Sequence, residues 1–166
     1  QIAKAAGVPT SSEIELFLNG CRARVVGVTG SNGKSTTAAM TAAILRADGR
    51  RAWLGGNIGA SLLDRLDEIA TDDWAVLELS SFQLWHLNPD ARVPDLAVVT
   101  NCTPNHLDWH ERFETYAAAK QRILNAQRPD AVAVLNMLDP EVSGWGGRVR
   151  GRQLPLVPER EIPRLS

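Results

Sequence analysis

Cysteine is scarce in this chain of 166 residues. Cys21 and Cys102 are the only two, they lie far apart, and they match no zinc-ligand spacing, so a reduced, cytoplasmic setting is expected. An excess of charge of one sign is also missing: 18 Lys and Arg stand against 19 Asp and Glu. That balance gives no electrostatic reason to expect nucleic acid or a membrane surface as partner. No apolar run approaches the roughly 20 residues of a membrane span. No secretory signal peptide and no internal repeat is visible. The chain opens on Gln1 rather than methionine and closes in a proline-rich stretch, so it is expected to be a fragment. Its length suffices for one domain with a real core.

What is present is an alternation of apolar runs and helical patterns. Strands are expected at 24–29, 51–54, 74–79, 96–100 and 131–135, and helices at 34–47, 59–69, 81–87 and 112–127. Runs such as Trp74-Ala75-Val76-Leu77 and Leu96-Ala97-Val98-Val99 are near-continuous, which suits a parallel sheet covered on both faces. The expected fold is therefore α/β, a P-loop NTPase-like, doubly wound, mostly parallel sheet with helices on both faces, as an incomplete domain. Upstream, Gly7 follows a short helix end, and Ser12-Glu13-Ile14-Glu15 has capping-box spacing before Leu16, Phe17 and Leu18. From about residue 140 onward Gly144, Gly146, Gly147, Pro155, Pro158 and Pro163 indicate an irregular surface segment or a truncated continuation.

The most informative stretch is Gly27-Val28-Thr29-Gly30-Ser31-Asn32-Gly33-Lys34-Ser35-Thr36. An apolar strand runs into a glycine-rich turn that opens an alanine-rich helix, so backbone N–H groups and one ammonium converge where polyphosphate can sit. Gly30 and Gly33 let the turn curl without Cβ clashes. Lys34 can reach β- and γ-phosphate oxygens and Ser35 can ligate Mg²⁺. The strict P-loop spacing asks for glycine at 28, where this chain has valine, so the motif is a variant.

Further segments end at the same carboxyl edge of the expected sheet, where ligands bind in open α/β folds. Glu78 closes an apolar strand and precedes Ser80 and Ser81, two candidate helix caps. It can hold the Mg²⁺ of a nucleotide or be a carboxylate salt-bridged at a strand end. The segment Asn101 to His110 follows the next strand; there His106 can ligate a second metal and Asp108 can orient it, while His86 and His110 read as solvated. Lys120 falls at +7 from Phe113, on the same inward stripe as Tyr116, Ala117, Ile123 and Leu124. A lysine there snorkels to the edge, pairs, or changes its charge state, and a neutral amine can take up CO₂ as a carbamate that ligates Mg²⁺. Gly55-Gly56-Asn57-Ile58-Gly59 is either a turn or a loop whose N–H groups and Asn57 amide touch a phosphorylated or sugar substrate.

In order and spacing, Thr29 to Thr36, Gly55 to Gly59, Glu78-Leu79-Ser80-Ser81-Phe82-Gln83, Asn105-His106-Leu107-Asp108 and Ala118-Ala119-Lys120 resemble the Mur ligase family, the ATP-dependent amino-acid ligases of peptidoglycan assembly. The Glu78–Gln83 string with Gly55–Gly59 points to its D-glutamate-adding branch. The resemblance implies that residues 1–20 are the tail of an N-terminal UDP-binding domain and linker. It makes 21–166 a central ATP-binding domain, truncated at its C-terminal end, with the C-terminal domain absent. It implies ATP bound by Gly30, Ser31, Asn32, Gly33, Lys34, Ser35 and Thr36. Two Mg²⁺ ions follow, the first on Ser35 and Glu78, the second on His106 and Lys120 as its carbamate. Asn57, Ser80 and His106 would line the path of UDP-N-acetylmuramoyl-L-alanine, with glutamate as the second substrate and a monomer as the expected form. Lys34, His106 and Lys120 would be the catalytic groups. Pro104-Asn105 stands where some relatives carry two acids and Trp109 where many carry arginine, so no role of those groups is carried over. Two other readings remain at this point: a related ligase with another acceptor, such as a folylpolyglutamate synthase, and a P-loop nucleotide-binding module without ligase activity.

Overall fold

The computed structural model describes residues 10–157; Gly7, Pro158 and Pro163 lie outside the described residues. Six strands form one sheet: β1 (Arg24–Thr29), β2 (Ala52–Gly56), β3 (Trp74–Glu78), β4 (Leu96–Val99), β5 (Val132–Asn136) and β6 (Arg152–Leu156). Their order is β2-β3-β1-β4-β5-β6 and every pairing is parallel. Central β1 is buried from Val25 to Thr29, which is why it reads as an unbroken apolar run.

The two faces are packed differently. On one, Val26, Val28 and Val76 meet Ala38 and Ala42 of α2 (Lys34–Ala47), all buried. Alanine at those positions lets the helix backbone lie close to the sheet. The other face carries the larger cluster, where Val25, Ala75, Leu77 and Ala97 pack under α1 (Glu13–Gly20), α3 (Ser81–Trp85) and α5 (Phe113–Gln121). The helix α1 buries Phe17 and Leu18 in that cluster, so the described part of the expected upstream tail joins the main core. Only half of its expected capping box forms. Ser12 Oγ accepts from Glu15 N at 3.3 Å, but the Glu15 carboxylate turns away and accepts from Asn88 N and Nδ2 at 2.9 and 2.7 Å.

Three expected elements differ. In place of a helix over 59–69 there is a 3₁₀ segment, Leu63–Glu68, because Gly59 takes φ 73° and the Ser61 hydroxyl accepts from Leu63 N at 3.2 Å. The helix expected over 112–127 ends at Gln121 and tightens into a 3₁₀ turn, Arg122–Leu124, where the Arg122 guanidinium donates to the carbonyls of Trp85 and Leu87. The expected irregular segment after 140 instead holds a 3₁₀ stretch, Val142–Arg148, and strand β6. Strand β6 is a largely exposed edge, so its residues carry no apolar run, and Pro155 is tolerated there.

Candidate functional site

Strands β1 and β4 are neighbours whose crossovers leave in opposite directions, α2 toward β2 and the helices after β4 toward β5. Such a switch point opens a crevice at the carboxyl ends of the strands. The phosphate-loop motif follows β1, and residues 100–106 follow β4. The two loops are locked together. Gly30 has φ 155°, and a Cβ there would stand 1.9 Å from Thr100 Oγ1. Thr100 Oγ1 donates to Asn32 O at 2.7 Å. Asn101 grips the next peptides: its carbonyl accepts from Ser31 N at 3.0 Å, Oδ1 accepts from Asn32 N at 2.8 Å and Nδ2 donates to Asn32 O at 3.0 Å. The Ser31 hydroxyl donates to Thr103 O and accepts from Thr103 N, both at 2.9 Å, and shares a 2.9 Å bond with the Tyr116 hydroxyl.

Within the expected ATP-binding set, the residues differ in which backbone donors are already engaged. The N–H groups of Ser31 and Asn32 are engaged by Asn101, which shapes the loop. The donors left are those of Gly33, Lys34, Ser35 and Thr36, which precede the first intrahelical bond, from Thr37 N to Gly33 O. Gly33 is the N-cap of α2, and Ser35 and Thr36 are exposed on its first turn. Lys34 Nζ donates to Ser31 O at 3.0 Å, curled over its own loop.

Glu78 ends β3 directly beside this loop, in register with Val28 of β1 and Gly56 of β2. It is 2% exposed and belongs to no ion pair among the described residues, which rules out a salt-bridged strand end. Its Oε1 accepts from Asn57 Nδ2 at 2.9 Å, and its carbonyl accepts from Asn57 N at 2.8 Å. Its Oε2 is buried with no partner. Gly56 makes that approach possible: it has φ 96°, and a Cβ would lie 2.2 Å from Glu78 O.

Lys120, on α5, is 1% exposed. Its Nζ donates to Gly30 O at 2.7 Å and lies 4.7 Å from the centre of the Tyr116 ring. Burial, and then the charge of Lys34, push its pKa down to about 7, against smaller upward pulls from Cys102 and Glu78. Of the outcomes open from the sequence, snorkelling is not the one found: the lysine is buried.

His106 takes φ 52° at the N-cap of α4 (Leu107–His110), exposed, with its ring 5.1 Å edge-on from Phe82. Asp108 is exposed and makes no hydrogen bond to His106 among the described residues, so the expected orienting role is not formed. His86 is exposed as expected, whereas His110 is not. It is 2% exposed, wedged among aromatic rings, with Nε2 3.0 Å from Ser81 Oγ. Ser80 caps α3 in a full capping box, accepting from Gln83 N and donating to Gln83 Oε1. A cleft of about 270 Å³ gathers Lys34, Asn57, Ser80, His106 and Lys120, all named from the sequence. Ser81, Phe82 and Tyr116 complete its wall and were not expected as site residues. Their signals were the inward stripe that Tyr116 shares with Lys120 and the Glu78–Gln83 string that holds Ser81 and Phe82. Among the described residues no three His, Cys, Asp or Glu side chains cluster as a metal cage.

Residues 28–157 match the family model of the Mur ligase middle domain. The chain belongs to the Mur ligase family. A UDP-N-acetylmuramoylalanine–D-glutamate ligase of Symbiobacterium thermophilum is 46% identical over 152 residues, 92% of this chain and 33% of that protein. A protein of the same name from Clostridium botulinum is 42% identical over 149 residues, 90% of this chain and 32% of its own length. The chain thus spans about a third of these relatives. The crystal structure of the MurF ligase of Thermotoga maritima in complex with ADP aligns with TM-score 0.68 at 27% identity, over 89% of this chain and 37% of that one. A MurF structure from Acinetobacter baumannii, at 18% identity and TM-score 0.66 over 89% of this chain and 36% of that one, shares the fold. Among the described residues no helix is long and apolar enough to cross a membrane.

Proposed function

We propose that this Mur ligase domain handles ATP in a ligase that joins glutamate to UDP-N-acetylmuramoyl-L-alanine. The observation that carries the proposal is the unpartnered, buried Oε2 of Glu78 beside a cleft that gathers Lys34, Asn57, Ser80, His106 and Lys120. Relatives named for D-glutamate addition, at 42–46% identity, favour that branch over a folylpolyglutamate-type acceptor.

The donor set fits Mg²⁺. That ion is held by one or two carboxylates plus substrate phosphates and water rather than by an all-protein cage. Glu78 Oε2 and the exposed Ser35 hydroxyl would hold the first ion, and His106 with a Lys120 carbamate the second. Bound there, magnesium would neutralise phosphate charge. The partly deprotonated Lys120 amine can attack CO₂, its nitrogen bonding the carbon while one N–H proton leaves to solvent. The resulting anion removes the cost of a buried, unpaired ammonium. The N–H groups of Gly33 to Thr36 and the Lys34 ammonium would hold the triphosphate in line for attack by the substrate carboxylate on the γ-phosphorus, with ADP leaving. The amino group of glutamate then attacks the carbonyl carbon of the resulting acyl phosphate, losing a proton to solvent as phosphate leaves and the amide forms. His106 and Asn57 would steer the muramoyl peptide.

In this reading the UDP grip and most amino-acid contacts belong to the other two thirds of such a ligase, which acts as a cytoplasmic monomer. This chain by itself turns over poorly or not at all. The test is ADP release by the full-length polypeptide with each substrate omitted in turn. Release that requires both UDP-N-acetylmuramoyl-L-alanine and glutamate supports the ligase. ATP hydrolysis indifferent to both overturns it in favour of a nucleotide-binding module.

A further inference from the structure

The unexpected burial of His110 has a specific geometry. Its ring lies behind the cleft wall and touches three of the residues that form it. Nε2 is 3.0 Å from Ser81 Oγ, its face stacks on Phe82 at 5.5 Å and 27°, and its edge meets Tyr116 at 5.2 Å. Trp109 and Trp85 close around it at 4.5 and 6.2 Å. Nδ1 is buried without a partner. An orphaned buried N–H is rarer than an orphaned acceptor, so the proton belongs on Nε2, where it donates to Ser81 Oγ. Burial, then the charges of His106 and Lys120, lower the pKa of His110 against a weaker pull from Asp108. Ser81 Oγ has no other partner among the described residues, so its own proton is free for an acceptor in the cleft it lines.

We propose that His110 is a positioning residue for this cleft: by donating Nε2–H to Ser81 it aims the Ser81 hydroxyl proton at an anionic substrate oxygen, and by stacking it sets the angle of Phe82. The proposal rests on the ligase reading. The substrate chemistry it implies is a carboxylate or phosphoryl oxygen of the muramoyl substrate, in the cleft that Ser81 lines with Asn57, Ser80 and His106.

The experiment uses the full-length ligase with His110→Phe, His110→Gln, Ser81→Ala and the Ser81→Ala/His110→Phe double variant. Phenylalanine keeps the ring and removes the donor, and glutamine restores a donor near Nε2. His110→Phe should raise KM for the muramoyl substrate about tenfold, the worth of one hydrogen bond, while KM for ATP holds within about twofold. His110→Gln should recover most of that loss, and the double variant should be no worse than Ser81→Ala alone. Equal losses in the phenylalanine and glutamine variants, a matching rise in KM for ATP, or additive losses in the double variant overturn the proposal. ¹⁵N NMR of the imidazole in the unsubstituted protein reads the same arrangement without turnover: a protonated Nε2 and a bare Nδ1 are expected, and the opposite tautomer or a doubly protonated ring overturns it. An inactive unsubstituted enzyme with the expected tautomer would fault the ligase reading, whereas an active enzyme with the wrong tautomer faults the role of His110.

Discussion

Two buried side chains, Glu78 and Lys120, hold most of the proposed chemistry, and each was legible for a different reason. Glu78 stood out because an acid terminating an apolar strand has no packing purpose, and its unpartnered Oε2 agrees. Glu78→Gln should leave the thermal midpoint unchanged or raised, since a neutral amide replaces a buried charge, while Mg²⁺-dependent nucleotide affinity falls at least about tenfold by calorimetry. Lys120 stood out through periodicity. Folded, it loses its proton near 7 rather than at the ordinary 10.5, so the folded chain binds fewer protons than the unfolded chain across that window. The Lys120 contribution to stability therefore rises as pH rises from about 7 toward 10.5, and its penalty is fully present below 7; above about 9 the raised thiols of Cys21 and Cys102 oppose it, so the slope is read between 7 and 9. Urea titrations in CO₂-depleted buffer should show this slope in the unsubstituted chain and lose it in Lys120→Met. Activity of a full-length Lys120→Ala enzyme should be low and recover with added short carboxylates; wild-type activity without them contradicts the carbamate. His110 was misread because a histidine in a polar loop carries no periodic signal. Its burial comes from Phe82, Trp85 and Tyr116, which arrive from other elements.

At the scale of elements, β1 and α2 were readable to the residue because one is buried on both faces and the other opens on a glycine-rich turn. The segments after Gly59 and after Gln121 were not. There, side chain-to-backbone bonds from Ser61 and Arg122 override helical periodicity. The clamp between the loops after β1 and β4 was likewise invisible, since Asn101 and Asn32 are far apart in sequence. The bend after β2 gives a sharp test. Gly56→Ala forces a Cβ toward Glu78 O at a positive φ and should cost roughly 1–3 kcal/mol by urea unfolding, with loss of the Asn57 contact. Ser80→Ala removes the cap of α3 and should cost about 1 kcal/mol.

For the whole molecule, one parallel sheet with its switch point between β1 and β4 explains why segments distant in sequence meet at a single rim. The alternation of runs and helical patterns predicted that architecture. Among the strands it omitted β6, an exposed edge whose pairing with β5 depends on tertiary context rather than its own apolarity. Hydrogen exchange should therefore be fastest at β6 among the strands and slowest at β1, β3 and β4; uniform protection across the sheet contradicts that layering. The central claim is that the bare Glu78 oxygen and the first turn of α2 share a metal with bound nucleotide. A crystal structure of the full-length protein with Mn²⁺ and a non-hydrolysable ATP analogue measures this directly. An anomalous peak about 2.0–2.2 Å from Glu78 Oε2, with phosphates on the N–H groups of Gly33 to Thr36, is the expected result. Nucleotide bound there with Glu78 still bare, or metal bound elsewhere, contradicts it.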